Sequence, residues 1–330
     1  MVPKIRIAAC LILAGSIMFA FGLVTPGWSK TGTSPGSEGA AGSLTLGKAV
    51  VLGVVEGLTE YLPVSSTGHL LLAERMMGMS GTTPAPTPGQ ERAKNAADAY
   101  AICIQAGAIL AVLGLYAGRL KQMLMGLAGK DAAGLKIFVN IVAGFLPAAV
   151  IGLMVGDLVK KYLFGAWPVV AAWLAGGLAI LALTRWQNGR VGNRHRIGKT
   201  LYDMNMRMAL VIGLAQCVAM WPGVSRSLVT IVGGVLVGLS LPSAVEFSFL
   251  LGVVTLGAAT GYDGLKHGQD MLQTFDMASI AVGLASAFLF ALLSIKWMVA
   301  YLNRNGLAVF GYYRIALAAI TGILIVTGRL

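Results

Sequence analysis

The sequence predicts an all-α, polytopic membrane protein, and composition, the length of its apolar runs and the placement of its charge each argue for it. Of the 330 residues 57% are hydrophobic and 12% charged, with a mean hydropathy of +0.78. A soluble domain carries about 25% charged residues, so lipid is the solvent this chain needs. Apolar runs reach the roughly 20 residues that a helix needs to cross a hydrocarbon core. They recur along the whole chain, leaving room for one membrane domain and no soluble one. The net charge of +12 sits in short loops between these runs, where it sets topology rather than marking a nucleic-acid partner. Cys10, Cys103 and Cys217 lie in apolar stretches without metal-like spacing, so they read as packing residues.

Residues 1–25 pair Lys4 and Arg6 with an apolar run and read as a signal-like or extra anchor helix. The lack of a small-x-small cleavage site favours retention. A polar, Gly/Ser-rich linker covers 26–44, and the membrane domain covers 45–330. Its apolar segments fall near 45–72, 99–118, 137–156, 166–184, 208–240, 245–262, 278–302 and 308–328. Two of them differ from the rest. Pro63 interrupts 45–72 and Pro222 interrupts 208–240, each beside Ser, Thr and Gly. Proline removes a backbone donor and breaks a helix, and broken helices persist at membrane depth only where they line a protein cavity.

Loop charge decides whether the broken segments cross or turn back. Arg119, Lys121, Lys130 and Lys136 fill one loop, and Arg185, Arg190, Arg194, Arg196, Lys199 and Arg207 another. Both read as cytoplasmic. If each broken segment is re-entrant, the acidic stretch with Asp263, Asp270 and Asp276 lies outside, and every other loop falls on a consistent side. Each half then holds one re-entrant pair and three crossings, in repeats at 45–185 and 208–328. An odd number of crossings makes them inverted. The stretches GLTEYLPVSSTGH and GLAQCVAMWPGVSRS align weakly, and inverted repeats with broken helices put a site where the breaks meet.

The breaks hold the chemistry. Glu56 and Glu60 are four residues apart, on one helix face. Carboxylates at this depth must be paired, hydrated or bound to an ion, so they share a proton, hold Mg²⁺ or Ca²⁺, or bond a neighbouring helix. After Pro63, Ser65, Ser66 and Thr67 open a half-helix whose start can bind an anion. His69 can act as acid, base or nucleophile, with a hydroxyl of Ser65 or Ser66 as rival nucleophile. The second break supplies Ser225, Arg226, Ser227 and Thr230. Arg226 suits bidentate phosphate binding or an ion pair with Glu56 or Glu60. Together these groups suit phosphate. Gln105 and Glu246 are polar residues in apolar runs, serving either the site or helix-to-helix bonding. His195 and His267 read as surface residues, and Trp221 as a packing or interface anchor.

EGLTEYLPVSSTGHL, IQAGAILAV, PGVSRSLVT, VEFSFLLG and FGYYRI resemble the undecaprenyl-diphosphate phosphatase family of bacitracin-resistance proteins, over about residues 45–330. The resemblance implies an inner-membrane enzyme that hydrolyses undecaprenyl diphosphate to the monophosphate and inorganic phosphate, recycling the carrier lipid for peptidoglycan synthesis. It implies a divalent cation, and it matches the family's first-motif acids to Glu56 and Glu60, its serines to Ser65 and Ser66, and its histidine to His69. The second motif maps onto Ser225, Arg226, Ser227 and Thr230. Leu228 stands where the family commonly has Gly, and VVTLG where a Pro is common.

The expected mechanism is metal-assisted hydrolysis of a polyprenyl diphosphate whose head enters from the outer side. Glu56 and Glu60 hold the cation, and Arg226 with Ser65, Thr67, Ser225, Ser227, Thr230 and Gln105 binds substrate. His69 is the preferred attacking group, with Ser66 or water, activated by His69, as the other routes. A transporter or flippase for a polyprenyl phosphate lipid is the alternative, since it shares the broken-helix architecture. The sequence leaves room for a homo-oligomer.

Overall fold

The computed structural model describes residues 44–79, 88–188 and 198–328. The helix expected at 1–25, nearly all of the linker, and His195 lie outside these ranges, as does the side chain of His267. The first broken segment forms α1 (Leu46–Thr59) and α2 (Ser66–Met76). Then come α3 (Pro88–Leu115), α4 (Ala117–Leu127), α5 (Ala132–Leu163) and α6 (Ala166–Asn188). The second broken segment forms α7 (Met206–Cys217), a 3₁₀ turn at Val218–Met220 and α8 (Arg226–Leu236). Three long helices follow: α9 (Leu241–Thr274), α10 (Met277–Asn305) and α11 (Ala308–Val326).

Six helices are long and apolar enough to cross a membrane: α3, α5 and α6 from the first half, and α9, α10 and α11 from the second. The chain is a multi-pass membrane protein, with three such helices in each half. Helix α3 begins at Pro88 where the apolar run begins near 99, and α5 extends past its run at both ends; two further differences stand out. The basic stretch after 118 is partly helical, because Gly126 and Gly134 let α4 fold back onto α5 with backbones in contact. Helix α9 runs on past the apolar limit at 262 to Thr274, since adding residues to a formed helix costs far less than starting one.

The helices pair in a pattern that survives exchange of the halves. α1 packs along α10, and α7 packs along α5. α3 lies on α9, α6 lies on α11, and each of α2 and α8 follows the short helix before it. Small residues make the first contacts close, as is usual where packing alone must hold helices in lipid. A Cβ at Gly53 or Gly57 would collide with the carbonyl oxygens of Gly283 or Ala287 on α10, and one at Gly213 with that of Gly144 on α5. Gly57 and Gly213 are also the aligned glycines of the weak repeat.

Charge separates to the two ends. At one end Arg119 binds Glu246 at 2.5 Å and also reaches Tyr202, while Lys136 Nζ donates to the Tyr202 carbonyl at 2.6 Å. Both basic loops therefore meet there. Helix α9 begins beside this end, where Ser240 donates its backbone N–H to Lys199, and its 34 residues carry the chain about 51 Å at 1.5 Å per residue. At its far end Met271 and Phe275 pack with Met77, Met79 and Ala96. Asp276 caps α10 there, and hydrogen bonds from Ser279 hold its carboxyl below the usual carboxylate range.

Replacing Gly57 or Gly213 with Val should force the short helices off their partners, lowering stability by about 1–3 kcal/mol as overpacking does. Gly114→Ala, with open space around it, is the control. Thermal unfolding in detergent followed by size-exclusion chromatography measures this, and a Gly57→Val protein as stable as the parent would refute the close-packing account.

Candidate active site

The two helix breaks share an unusual backbone. Ser65 has φ 74° and ψ 101°, and Ser225 has φ 78° and ψ 115°. Among the described residues they are the only non-glycine positions with positive φ, a conformation that costs of order 1–3 kcal/mol and persists only when its surroundings impose it. Ser65 comes two residues after Pro63 and Ser225 three after Pro222, and each is the N-cap of the second half-helix, α2 or α8.

Side chains from elsewhere impose that shape. Three consecutive carbonyls of the first break each accept a bond from a distant side chain. Ser227 Oγ donates to Leu62 at 2.8 Å, Arg314 Nη1 to Pro63 at 3.3 Å, and Trp173 Nε1 to Val64 at 3.1 Å. Arg314 Nη2 donates to Gly223 of the second break at 2.8 Å. These bonds bring the starts of α2 and α8 together.

Between them sits an ionic cluster. Glu60, 7% exposed, accepts a short bond from Ser66 Oγ at 2.5 Å through Oε2, and meets Arg226 Nη2 at 3.5 Å through Oε1. Arg226 reaches across from α8, donates Nη1 to the Ser248 carbonyl at 2.8 Å, and lies over the Tyr61 ring. Gly252 leaves the space its guanidinium occupies. Several polar atoms in this small region meet no complementary partner: Nε of Arg226, the hydroxyl of Tyr61, and both carboxylate oxygens of Glu56. The Glu56 oxygens face the Glu60 carboxylate, an acceptor like themselves, so that the pair requires a shared proton or a cation. Burying such groups unpaired costs about 1–3 kcal/mol each. A cluster of acceptors and donors left open side by side suits a ligand carrying both anionic oxygens and positive charge.

His69 is fully buried and fully engaged. Its Nδ1 lies 2.6 Å from the Ser65 carbonyl, which can only accept, so Nδ1 carries the proton. In the neutral ring Nε2 then accepts from the Tyr313 hydroxyl at 2.8 Å. The imidazole stacks on Tyr313 and meets Trp173 edge-on. Neither nitrogen is bonded to Glu56, Glu60 or Arg226. What the arrangement does is hold the Ser65 carbonyl, and hence the start of α2.

The other expected ligands divide in the same way. Ser225 caps α8 by accepting from Leu228 N–H and shares a bond with Ser227, while Ser227 is committed to Leu62. Thr230 bonds back to Arg226 and to Ser248 Oγ at 2.7 Å. Thr67 is exposed at the start of α2. Gln105 accepts from Thr260, eight residues beyond Gly252 and so about 12 Å along α9; it joins two helices away from the cluster. Glu246 pairs with Arg119 at the basic end. Trp221 is part exposed and donates to the Pro168 carbonyl. Leu228 is buried in the core, and Thr255 of VVTLG bonds back to Leu251 and shares a bond with Gln216. Tyr61, Ser248, Tyr313 and Arg314 stand in the stretches that carry the family resemblance, yet the sequence assigns no role to them or to Trp173. For Arg314 a signal existed: a lone arginine within an apolar 19-residue helix is costly unless it is used.

No group of three or more His, Cys, Asp or Glu side chains gathers among the described residues. Glu56 and Glu60 therefore form the whole carboxylate set available to a cation. That fits Mg²⁺, which commonly takes one or two carboxylates and completes its shell with water and substrate phosphates. The unpartnered oxygens of Glu56 are the observation that favours it.

Residues 49–320 match the family described as bacitracin resistance protein BacA. Among curated proteins, the chain is similar to an undecaprenyl-diphosphatase of Sorangium cellulosum, 43% identical over 82% of this chain and 84% of that protein. It is similar to the undecaprenyl-diphosphatase of Methylibium petroleiphilum, 39% identical over 83% and 93%, and to undecaprenyl-diphosphatase 2 of Rhodospirillum rubrum, 43% identical over 82% and 91%. With most of its length matched on both counts, the chain belongs to the bacitracin resistance protein BacA family.

Proposed function

We propose that this protein hydrolyses undecaprenyl diphosphate to undecaprenyl phosphate and inorganic phosphate, recycling the carrier lipid for peptidoglycan synthesis and so conferring bacitracin resistance. The relatives' names support the substrate. The observation that carries the chemistry is Ser66 bonded to Glu60, with Arg226 of the opposite break on the same carboxylate. A hydroxyl on a carboxylate base, beside a fixed guanidinium, is what phosphoryl transfer requires.

In this reading the attacking role passes from His69 to Ser66, because both imidazole nitrogens are already bonded to protein. Ser66 Oγ attacks the terminal phosphorus and gives its proton to Glu60. The bond from that phosphorus to the bridging oxygen breaks, and undecaprenyl phosphate leaves with the electron pair. Glu60 passes its proton to that leaving phosphate and is a base again. Water then attacks the phosphoserine phosphorus and gives a proton to Glu60, which returns it to Ser66 Oγ as the serine P–O bond breaks and inorganic phosphate leaves. Arg226 binds phosphate oxygens and stabilises the charge that develops on them, using the Nε that protein leaves unpaired. Glu56 and Glu60 would hold a Mg²⁺ or Ca²⁺ ion, which when bound supplies charge neutralisation for the diphosphate. The setting is the bacterial inner membrane, with the halves as inverted repeats and the pocket open to the outer side. The isoprenoid tail stays in lipid.

Phosphate release from undecaprenyl diphosphate by purified protein tests this. Ser66→Ala, Glu60→Gln and Arg226→Ala should each lose at least about a hundredfold in kcat/KM, and His69→Ala less than Ser66→Ala. Parental rates in the first three end the proposal. A larger loss in His69→Ala than in Ser66→Ala returns the attack to the imidazole. Lipid flux across sealed vesicles with no phosphate release would make the protein a flippase instead.

Chelation should abolish turnover, and added Mg²⁺ or Ca²⁺ should restore it. A rate unchanged by chelator removes the cation from Glu56 and Glu60.

A further inference from the structure

Arg314 sits in the middle of the architecture without a counter-charge. It is fully buried, and among the described residues no carboxylate pairs with it. All its bonds go to backbone carbonyls: Pro63 at 3.3 Å, Ala172 at 2.9 Å, Trp173 at 3.4 Å and Gly223 at 2.8 Å. Gly176 of α6 clears the space, since a Cβ there would collide with Nη2. Two of the four acceptors are equivalent. Pro63 stands two residues before Ser65 and Gly223 two before Ser225, the two positive-φ serines that start α2 and α8. One rigid guanidinium thus fixes the same point of both breaks and ties them to α6.

A lysine could not do this. Its ammonium is a single point on a flexible stem, whereas the planar fork sets angles as well as distance. The neighbour of Arg314 on α11 extends the grip, because the Tyr313 hydroxyl holds the imidazole that bonds the Ser65 carbonyl. From this, and resting on the hydrolytic reading above, we infer that Arg314 is a positioning residue for the reaction. It sets the register of the two breaks, so that Ser66 of one and Arg226 of the other face one phosphorus. It touches neither Glu60 nor Ser66, so its effect is on alignment and not on binding. Misplacing reacting groups by about 1 Å can cost on the order of a hundredfold in rate.

The test compares Arg314→Lys and Gly176→Ala with the parent. The second keeps the arginine and displaces it, which covers the case where the first does not fold. Two readouts are taken on the folded fraction from size-exclusion chromatography. Steady-state phosphate release should show kcat lower by about ten- to a hundredfold with KM within about threefold. The second readout is independent of activity: spin labels at Thr67→Cys and Trp221→Cys, in a chain whose three natural cysteines are replaced, report the distance between the breaks. That distance should be narrowly distributed in the parent and broad in both variants. Unchanged kcat with a narrow distance overturns the inference. So does a lower yield of folded protein at full specific activity, since that is a purely structural part. A parent that releases no phosphate defeats the hydrolytic reading alone, and the distance readout still decides whether Arg314 clamps the breaks: broad variants uphold the clamp and narrow ones refute it.

Discussion

A carbonyl exposed by a broken helix has no water to turn to inside a bilayer, and much of this structure follows from meeting that need. Leaving such groups unpaired in hydrocarbon costs several kcal/mol each. Here the carbonyls of Leu62, Pro63, Val64 and Gly223 are served by Ser227, Arg314 and Trp173, all from other elements. The donors come from α6, α8 and α11. Satisfying the breaks is therefore the same act as drawing distant helices together, and the convergence of α2 and α8 is a consequence of backbone accounting as much as of packing.

Once the breaks are held, the polar side chains divide into two kinds. One kind is spent on the scaffold: Ser225, Ser227, Thr230, His69 and Arg314 have their hydrogen-bonding atoms committed to protein. The other keeps something open: the Glu56 oxygens face only the Glu60 carboxylate and receive no donor, Arg226 has a free donor, and Tyr61 an unpaired hydroxyl. The two arginines illustrate the division. Each lies against a glycine, Gly176 for Arg314 and Gly252 for Arg226, yet four carbonyls surround the first while the second faces a carboxylate and leaves Nε unbonded. Only the second can take a phosphate without dismantling its own support.

Much of the fold was legible from residues. The apolar runs located the six long helices, Pro63 and Pro222 located both breaks, and basic loops at 119–136 and near 200 meet at one end. Hydropathy could not see that α4 is helical or that α9 runs to Thr274, because those parts lie outside lipid-like composition and depend on packing and propagation. At the site, residue types were legible and their commitments were not. Carboxylate, imidazole and guanidinium near a break point to phosphate chemistry, but only coordinates tell that His69 is bonded through both nitrogens. Tyr313 and Arg314 lie some 250 positions along the chain from the first break, and although FGYYRI marks the family, nothing in its residues says that it bonds that break.

The two breaks match in backbone and differ in chemistry. Gly57 and Gly213 align and both press on a partner helix backbone, and Ser65 and Ser225 share one rare conformation. Counted from the paired glycines Gln216 stands opposite Glu60, and counted from the paired serines Arg226 stands opposite Ser66. Gln216 bonds Thr255 and takes no part in the ionic cluster. An acid from the second half as well would add a third carboxylate to Glu56 and Glu60, and an arginine from each half would set two guanidiniums against each other; a site made of one acid-bearing half and one arginine-bearing half avoids both and offers a diphosphate unlike partners on its two sides. The two matched breaks supply the meeting point, and the differences between them at Glu60, Ser66 and Arg226 supply the polarity that a hydrolytic reaction needs.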